Sequence, residues 1–356
     1  MFEIFGRKVE PGQKVFDYCH VGYLAGNTEC RIGYGVFNGV KEGPVLTLIS
    51  ALHGWEPMGT EIIRRTFLDV DPKDLSGTVV VIPIANPFSM EFGGTAESSG
   101  LQINPADSLN LNRVFPGRGG SGWLTEQLAH LYTEEISRVS DVVLDYHDGT
   151  SSNNMIPLVT FLAYEPELGY QADLAARTET LAKAMGAQVG RRIEGDAPDS
   201  GNISAALGIR GVPTMMLSVA GLGQVDENVD EGIRCTKNLM KAMGILEGEV
   251  DRPEYQLYCS GPQHKVLLTT AGGFFYPAPG ATLGAWVQQG QEIGVILDPL
   301  TSEVRETLRA PFKGILGMFR GKMVTNPGGM VGHLANLEDY YWSLGTLPGS
   351  EDSSLV

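Results

Sequence analysis

His53 and Glu56 stand three positions apart, just beyond the apolar run Val45-Leu46-Thr47-Leu48-Ile49. That run reads as a buried strand, and a helical pattern opens after Pro57. An imidazole and a carboxylate at this spacing, at the end of a strand, can converge on one metal ion. A second apolar run, Val142 to Tyr146, ends in His147, which can bring a third ligand from the end of another strand. Two imidazoles and one carboxylate fill the protein positions of a catalytic zinc site and leave a fourth position to water. The HxxE spacing alone is common, and its histidine is more often an ordinary surface or core residue. What adds weight is the segment between the two motifs, Asn110-Leu111-Asn112-Arg113-Val114-Phe115-Pro116-Gly117. Its Arg113 suits two-point recognition of a carboxylate.

In this order the segments resemble the succinylglutamate desuccinylase and aspartoacylase branch of the zinc carboxypeptidase superfamily, whose members show HGxE, then NRxFPG, then a strand ending in DLH. The likeness runs from about Gly43 to Leu246, with a weaker continuation to about Ala335. It implies one zinc ion per chain on His53, Glu56 and His147. It also implies that Asn112 and Arg113 hold a substrate carboxylate and help to polarise its carbonyl. Tyr146 stands where the family has Leu, a change that leaves the ligand next to it in place.

The family's general base is a Glu at the end of the strand that follows GIPA. Here that stretch is Gly211-Val212-Pro213-Thr214-Met215-Met216-Leu217-Ser218, so Ser218 occupies the position. A hydroxyl cannot take a proton from water near neutral pH, and loss of a positioned base removes roughly 10²–10⁴-fold in rate. Arg113 and Ser218 are therefore the residues on which the chemistry turns. Asp148, Glu194, Asp199, Asp226 and Glu227 are candidate replacement bases, each also readable as a solvated or capping carboxylate. Asp226 and Glu227 fit the N-cap region of a helix reaching Met243. Gln102 lies about where the family carries another Arg, which weakens a match to N-acetylaspartate or N-succinylglutamate.

Three readings follow: a zinc-dependent deacylase cleaving the amide of a small N-acylated amino acid or related carboxylate; a zinc-dependent lyase or isomerase that needs no hydrolytic base; and a catalytically silent protein that binds zinc and carboxylates. The partner in each is a small carboxylate-bearing molecule.

Composition narrows the classes. The chain has 356 residues, 42% hydrophobic, with a net charge of −16. An acidic chain lacks the basic footprint that nucleic acid or an anionic membrane surface calls for. No basic, apolar leader opens it, and no stretch nears the ~20 apolar residues of a membrane span. Cys19, Cys30, Cys235 and Cys259 are scattered without a CxxC pair, so reduced thiols and a cytoplasmic location are expected. A homo-oligomer is compatible with all of this.

The elements that must carry the site alternate. Strands are expected at Val45–Ile49, Val79–Ile84, Val142–Tyr146 and Thr214–Val219, and helices after Pro57 and over Ser121–Val139, Leu174–Met185 and Glu227–Met243. This is the pattern of a mixed, mostly parallel central sheet flanked by helices, an α/β fold of zinc carboxypeptidase type. Residues 1–42 read as edge strands of that sheet, and Ala85 to Gly120 as a long loop. In such sheets ligands gather beyond the carboxyl ends of the strands. An α/β catalytic domain is thus expected over 1–250 and a smaller all-β domain over 251–336. The repeats Gly290–Ile296 and Gly328–Leu334 are similar to the barrel-sandwich modules that follow catalytic domains in this family. Residues 337–356 read as a tail, disordered from Gly345.

Overall fold

The four apolar runs do become neighbours in one sheet, because each is buried on both faces and only a central position offers that. In the computed structural model, which describes residues 1–68, 70–92, 100–150, 153–221 and 227–347, a ten-stranded sheet takes the order Trp342–Gly345, Tyr255–Ser260, Val189–Ile193, Leu158–Leu162, Thr214–Ser218, Val142–His147, Lys41–Ser50, Ser76–Ile82, Glu29–Asn38, Gln13–Tyr23. Thr214–Ser218, Val142–His147, Lys41–Ser50 and Ser76–Ile82 run parallel, so their carboxyl ends share one rim. Antiparallel pairings at the flanks, and between Leu158–Leu162 and Thr214–Ser218, make the sheet mixed, with five of its nine pairings parallel.

Alternation along each strand divides the core into two layers. Leu46, Leu48, Leu144, Met215 and Leu217 face Met58, Ile62, Met185, Leu239 and Met240, which come from the helices Met58–Thr66, Leu174–Met185 and Glu227–Ala242. Ile49, Val80, Ile82 and Val143 face Leu128, Tyr132, Ile136 and Leu207, from the helices Leu124–Val139 and Ile203–Gly208. Each such side chain contributes about 1.5–3 kcal/mol on burial. Gly59 lets the first helix lie directly on the sheet, since a Cβ there would meet Ser50 Oγ and Tyr146 Cβ at 2.3 Å.

Two strands correct the expected boundaries. Tyr255–Ser260 pairs in parallel with Val189–Ile193, and Trp342–Gly345 pairs with Tyr255–Ser260, so pieces assigned to the C-terminal domain and to the tail complete the large sheet. The cause is the otherwise open edge at Val189–Ile193. Buried Tyr258 covers it and stacks edge-on against Trp342 at 5.0 Å. The tail from 348 lies outside the described residues.

The rest of the C-terminal part forms two small sheets around Phe275, Ile293, Ile296, Leu316 and Val331. One of them captures Asn153–Met155, which lies six residues beyond His147, against Gly314–Arg320. Among the described residues no helix is long and apolar enough to cross a membrane.

Candidate metal centre and adjoining cleft

His147 is the last residue of its strand, and His53 and Glu56 lie on the turn between the neighbouring strand and the helix Met58–Thr66. Ala51 takes a left-handed φ of +55° to leave that strand, as do Thr150 (+65°) and Ala220 (+61°) at the adjoining strand exits. Such backbone strain tends to gather where a site must be shaped. Gly54, between the two ligands of the first motif, is required by close approach: a Cβ there would stand 2.1 Å from the Ser89 carbonyl. Its N–H donates to Leu101 O at 2.7 Å, which ties the turn to the long loop.

The three expected ligands come together and are all buried, with one ligand atom from each within 4.8 Å of the others. Their hydrogen bonds fix which ring atoms face inward. Asn112 N donates to Asn110 Oδ1 at 2.9 Å, so it is the amide oxygen of Asn110 that stands 3.0 Å from His53 Nε2, and that ring atom must be the donor. Asp145 only accepts when ionised, so His147 Nε2 donates to its Oδ2 at 2.9 Å. A neutral ring then turns a bare Nδ1 inward in both cases. His53 Nδ1 lies 3.0 Å from Glu56 Oε1, and His147 Nδ1 lies 2.5 Å from Glu56 Oε2. Bare lone pairs gathered against a carboxylate in a buried site call for a cation, and this donor set, with each outer N–H held by an acceptor, fits zinc.

The ionisation of these groups shows the same demand. Burial works against charge on Glu56, yet His147 and His53 overcome it and hold the carboxyl at about 2. Burial likewise opposes a charged His147, and Asp145 and Glu56 outweigh it, raising the imidazole well above its ordinary range.

Asn112 and Arg113 sit on a short turn, Leu111–Arg113, inside the long loop. Asn112 is buried; its Oδ1 accepts from Ile203 N at 3.0 Å and its Nδ2 lies 3.5 Å from His147 Nε2. Arg113 is exposed, and its Nη1 donates to Asn112 O at 2.6 Å. Both line a cleft of about 310 Å³ with Thr160, Asp196, Asn202 and Met216. Asn112, which lines this cleft, also lies 3.5 Å from His147, so the cleft adjoins the candidate ligands.

Ser218 ends its strand as the register partner of His147, and it is buried. Of the proposed substitute bases, Asp148 is nearest in sequence to a ligand, and burial followed by the charge of Glu56 pushes its carboxyl up to about 7. Its oxygens are already committed: Oδ2 accepts from Met58 N at 2.9 Å and Oδ1 from Thr150 N at 2.6 Å, so it caps the first helix. Glu194 and Asp199 are exposed, and Arg192 binds Glu194 at 3.1 Å. Gln102 is exposed as well. Asp226 and the side chain of Glu227 lie outside the described residues.

Two positioning groups went unnoticed in the sequence, Asp145 and Asn110. Strand alternation puts Asp145 on the face of His147, which was a usable signal. Nothing in the sequence brings Asn110 to His53, 57 positions away.

Comparison with known proteins bears on the family and the fold. Residues 42–204 match the profile of the succinylglutamate desuccinylase/aspartoacylase catalytic domain. An N-alpha-acetyl-L-2,4-diaminobutyric acid deacetylase of Halomonas elongata is 28% identical over 300 residues, 83% of each chain. The fold is shared with a succinylglutamate desuccinylase/aspartoacylase of Rhodobacter sphaeroides (TM-score 0.76, 21% identity, 93% of this chain and 98% of that one). It is shared also with the product-bound ectoine utilization protein of Ruegeria pomeroyi (TM-score 0.78, 20% identity, 93% and 97%). The match of residues 42–204 makes that stretch similar to the catalytic domain of the succinylglutamate desuccinylase/aspartoacylase family, and the fold around it is common to nine-tenths of the chain.

Proposed function

We propose that the protein is a zinc-dependent deacylase that hydrolyses the amide bond of a small N-acylated amino acid, releasing an acid and an amine. The observation that carries this reading is the inward turn of His53 Nδ1, His147 Nδ1 and the Glu56 carboxylate toward one point, with both outer ring nitrogens held. These three residues would hold the metal, which when bound supplies Lewis acidity and lowers the pKa of water. Asn110 and Asp145 keep the two imidazoles in the ligating tautomer. Arg113 keeps its planar fork available at the cleft for the substrate carboxylate. Asn112, turned by the bond from Ile203, presents its amide N–H between that carboxylate and the metal ligands. The two small C-terminal sheets we read as a barrel-sandwich unit of structural role.

The named activity of the Halomonas relative makes N-α-acetyl-L-2,4-diaminobutyrate the first substrate to try. Zinc-loaded protein incubated with a panel of N-acyl amino acids, with products identified by mass spectrometry, tests the reading. Equimolar acid and amine support it. An alkene without water uptake would instead establish a lyase, the second reading, which Ser218 favours by standing beside His147 without a carboxylate. Zinc bound with no turnover of any member leaves the binding protein.

A further inference from the structure

The cleft beside the metal ligands carries one charge of each sign, Arg113 and Asp196, between neutral walls that include Thr160, Leu162, Ile193 and Met216. No ion pair joins the two, and among the described residues neither has another charged partner. Asp196 is held in place. Its Oδ2 accepts from Asn202 Nδ2 at 2.7 Å, and its backbone carbonyl accepts from Tyr170 Oη at 3.1 Å. Asn202 is fixed in turn, because its Oδ1 caps the helix Ile203–Gly208 by accepting from Ala205 N at 2.8 Å. Oδ1 of Asp196 accepts no hydrogen bond among the described residues, so a fixed carboxylate keeps an open acceptor in a partly apolar cleft. A cation is the natural occupant, and a second carboxylate on the ligand would be repelled.

We propose that Asp196 seats the ammonium of a substrate side chain while Arg113 takes its carboxylate, so that the substrates are N-acylated diamino acids. This rests on the deacylase reading. Zwitterionic substrates match the pair of unsatisfied charges, whereas a dicarboxylate matches only Arg113. Asp196 then sets specificity at a point removed from the scissile amide.

The test is steady-state kinetics of the full-length, zinc-loaded protein on the N-α-acetyl derivatives of 2,4-diaminobutyrate, of norvaline as its neutral isostere, and of glutamate. The wild type should prefer them in that order. Asp196→Asn retains a carbonyl for Asn202 and removes the charge; kcat/KM should fall about 10- to 100-fold for the diaminobutyrate derivative, the loss of one charge-assisted hydrogen bond. The norvaline derivative should change less than about threefold. Asp196→Glu should recover part of the preference. Equal losses on both substrates, or a wild type that favours norvaline, would overturn the proposal. Should the wild type hydrolyse none of the three, the deacylase reading is judged on the wider panel, and calorimetry with free 2,4-diaminobutyrate and norvaline decides the seat independently. Tighter diaminobutyrate binding that Asp196→Asn abolishes supports it, and indifference to the charge refutes it.

Discussion

Asp145→Asn separates the contribution of a charge from that of a hydrogen bond at the candidate metal centre. Asp145 is wholly buried at the middle of the sheet, its Oδ2 lies 2.9 Å from His147 Nε2, and its Oδ1 has no partner among the described residues. An asparagine of nearly the same shape still offers a carbonyl to that N–H, so the tautomer of His147 survives. What disappears is the negative charge that makes the ring a stronger donor toward a cation. Such outer partners are worth about 10- to 100-fold in metal affinity, or roughly 1.4–2.8 kcal/mol. Asp145→Ala, which also strands the ring N–H in a buried place, should lose more by about 1–3 kcal/mol. Competition against a chromophoric chelator at fixed pH gives the zinc affinities, with circular dichroism confirming that each variant is folded. An Asp145→Asn protein that binds zinc within about threefold of the wild type would refute the assignment of Asp145 as the group that tunes His147.

Arg113→Lys should lower kcat/KM on carboxylate substrates strongly while leaving zinc content unchanged, because an ammonium cannot reproduce the planar two-point grip; unchanged kinetics on every active carboxylate would make Arg113 structural. Gly59→Ala should destabilise the protein by about 1–3 kcal/mol through overpacking against Ser50 and Tyr146, and an unshifted thermal midpoint would show that the first helix can lift from the sheet. Ser218→Glu should raise hydrolysis if a missing base limits it, on a scale of up to about 10²–10⁴-fold, and should suppress a native reaction of another kind. A rate indifferent to both Ser218→Glu and Ser218→Ala, with zinc retained, would remove this position from the chemistry.

The centre of the fold was legible because its strands are continuous apolar runs and the three candidate ligands sit at or just beyond their ends. Lys41–Ser50, Val142–His147 and Thr214–Ser218 announce themselves in this way, and His53, Glu56 and His147 come with them. Val189–Ile193 does not, since Arg191 and Arg192 break the pattern, and both side chains lie partly buried. Arg192 rests on the Tyr341 ring at 4.4 Å, a contact that exists only once residues far along the chain have folded back. The joining of Tyr255–Ser260 and Trp342–Gly345 to the large sheet is hidden for the same reason. Strand pairing depends on which edge is left open, and an edge is a property of the assembled sheet.

The loop that holds Asn110, Asn112 and Arg113 explains why the site needs more than three ligands at strand ends. Asn110 orients His53, Asn112 reaches the surroundings of His147, and Arg113 faces the cleft, so one short turn reaches both imidazoles and the cleft. That turn is in turn bonded to the wall carrying Asn202 and Asp196, through Ile203 N to Asn112 Oδ1 and Phe115 N to Gly201 O at 3.0 Å each. The strands provide a rigid rim, and the loop and wall form one hydrogen-bonded body resting on it. A ligand that engages Arg113 and Asp196 together would brace that body and, through Asn110, the ring of His53. Binding energy from groups remote from the scissile bond could then be spent on positioning the metal ligand, which is the use of remote contacts that raises turnover instead of merely tightening the complex.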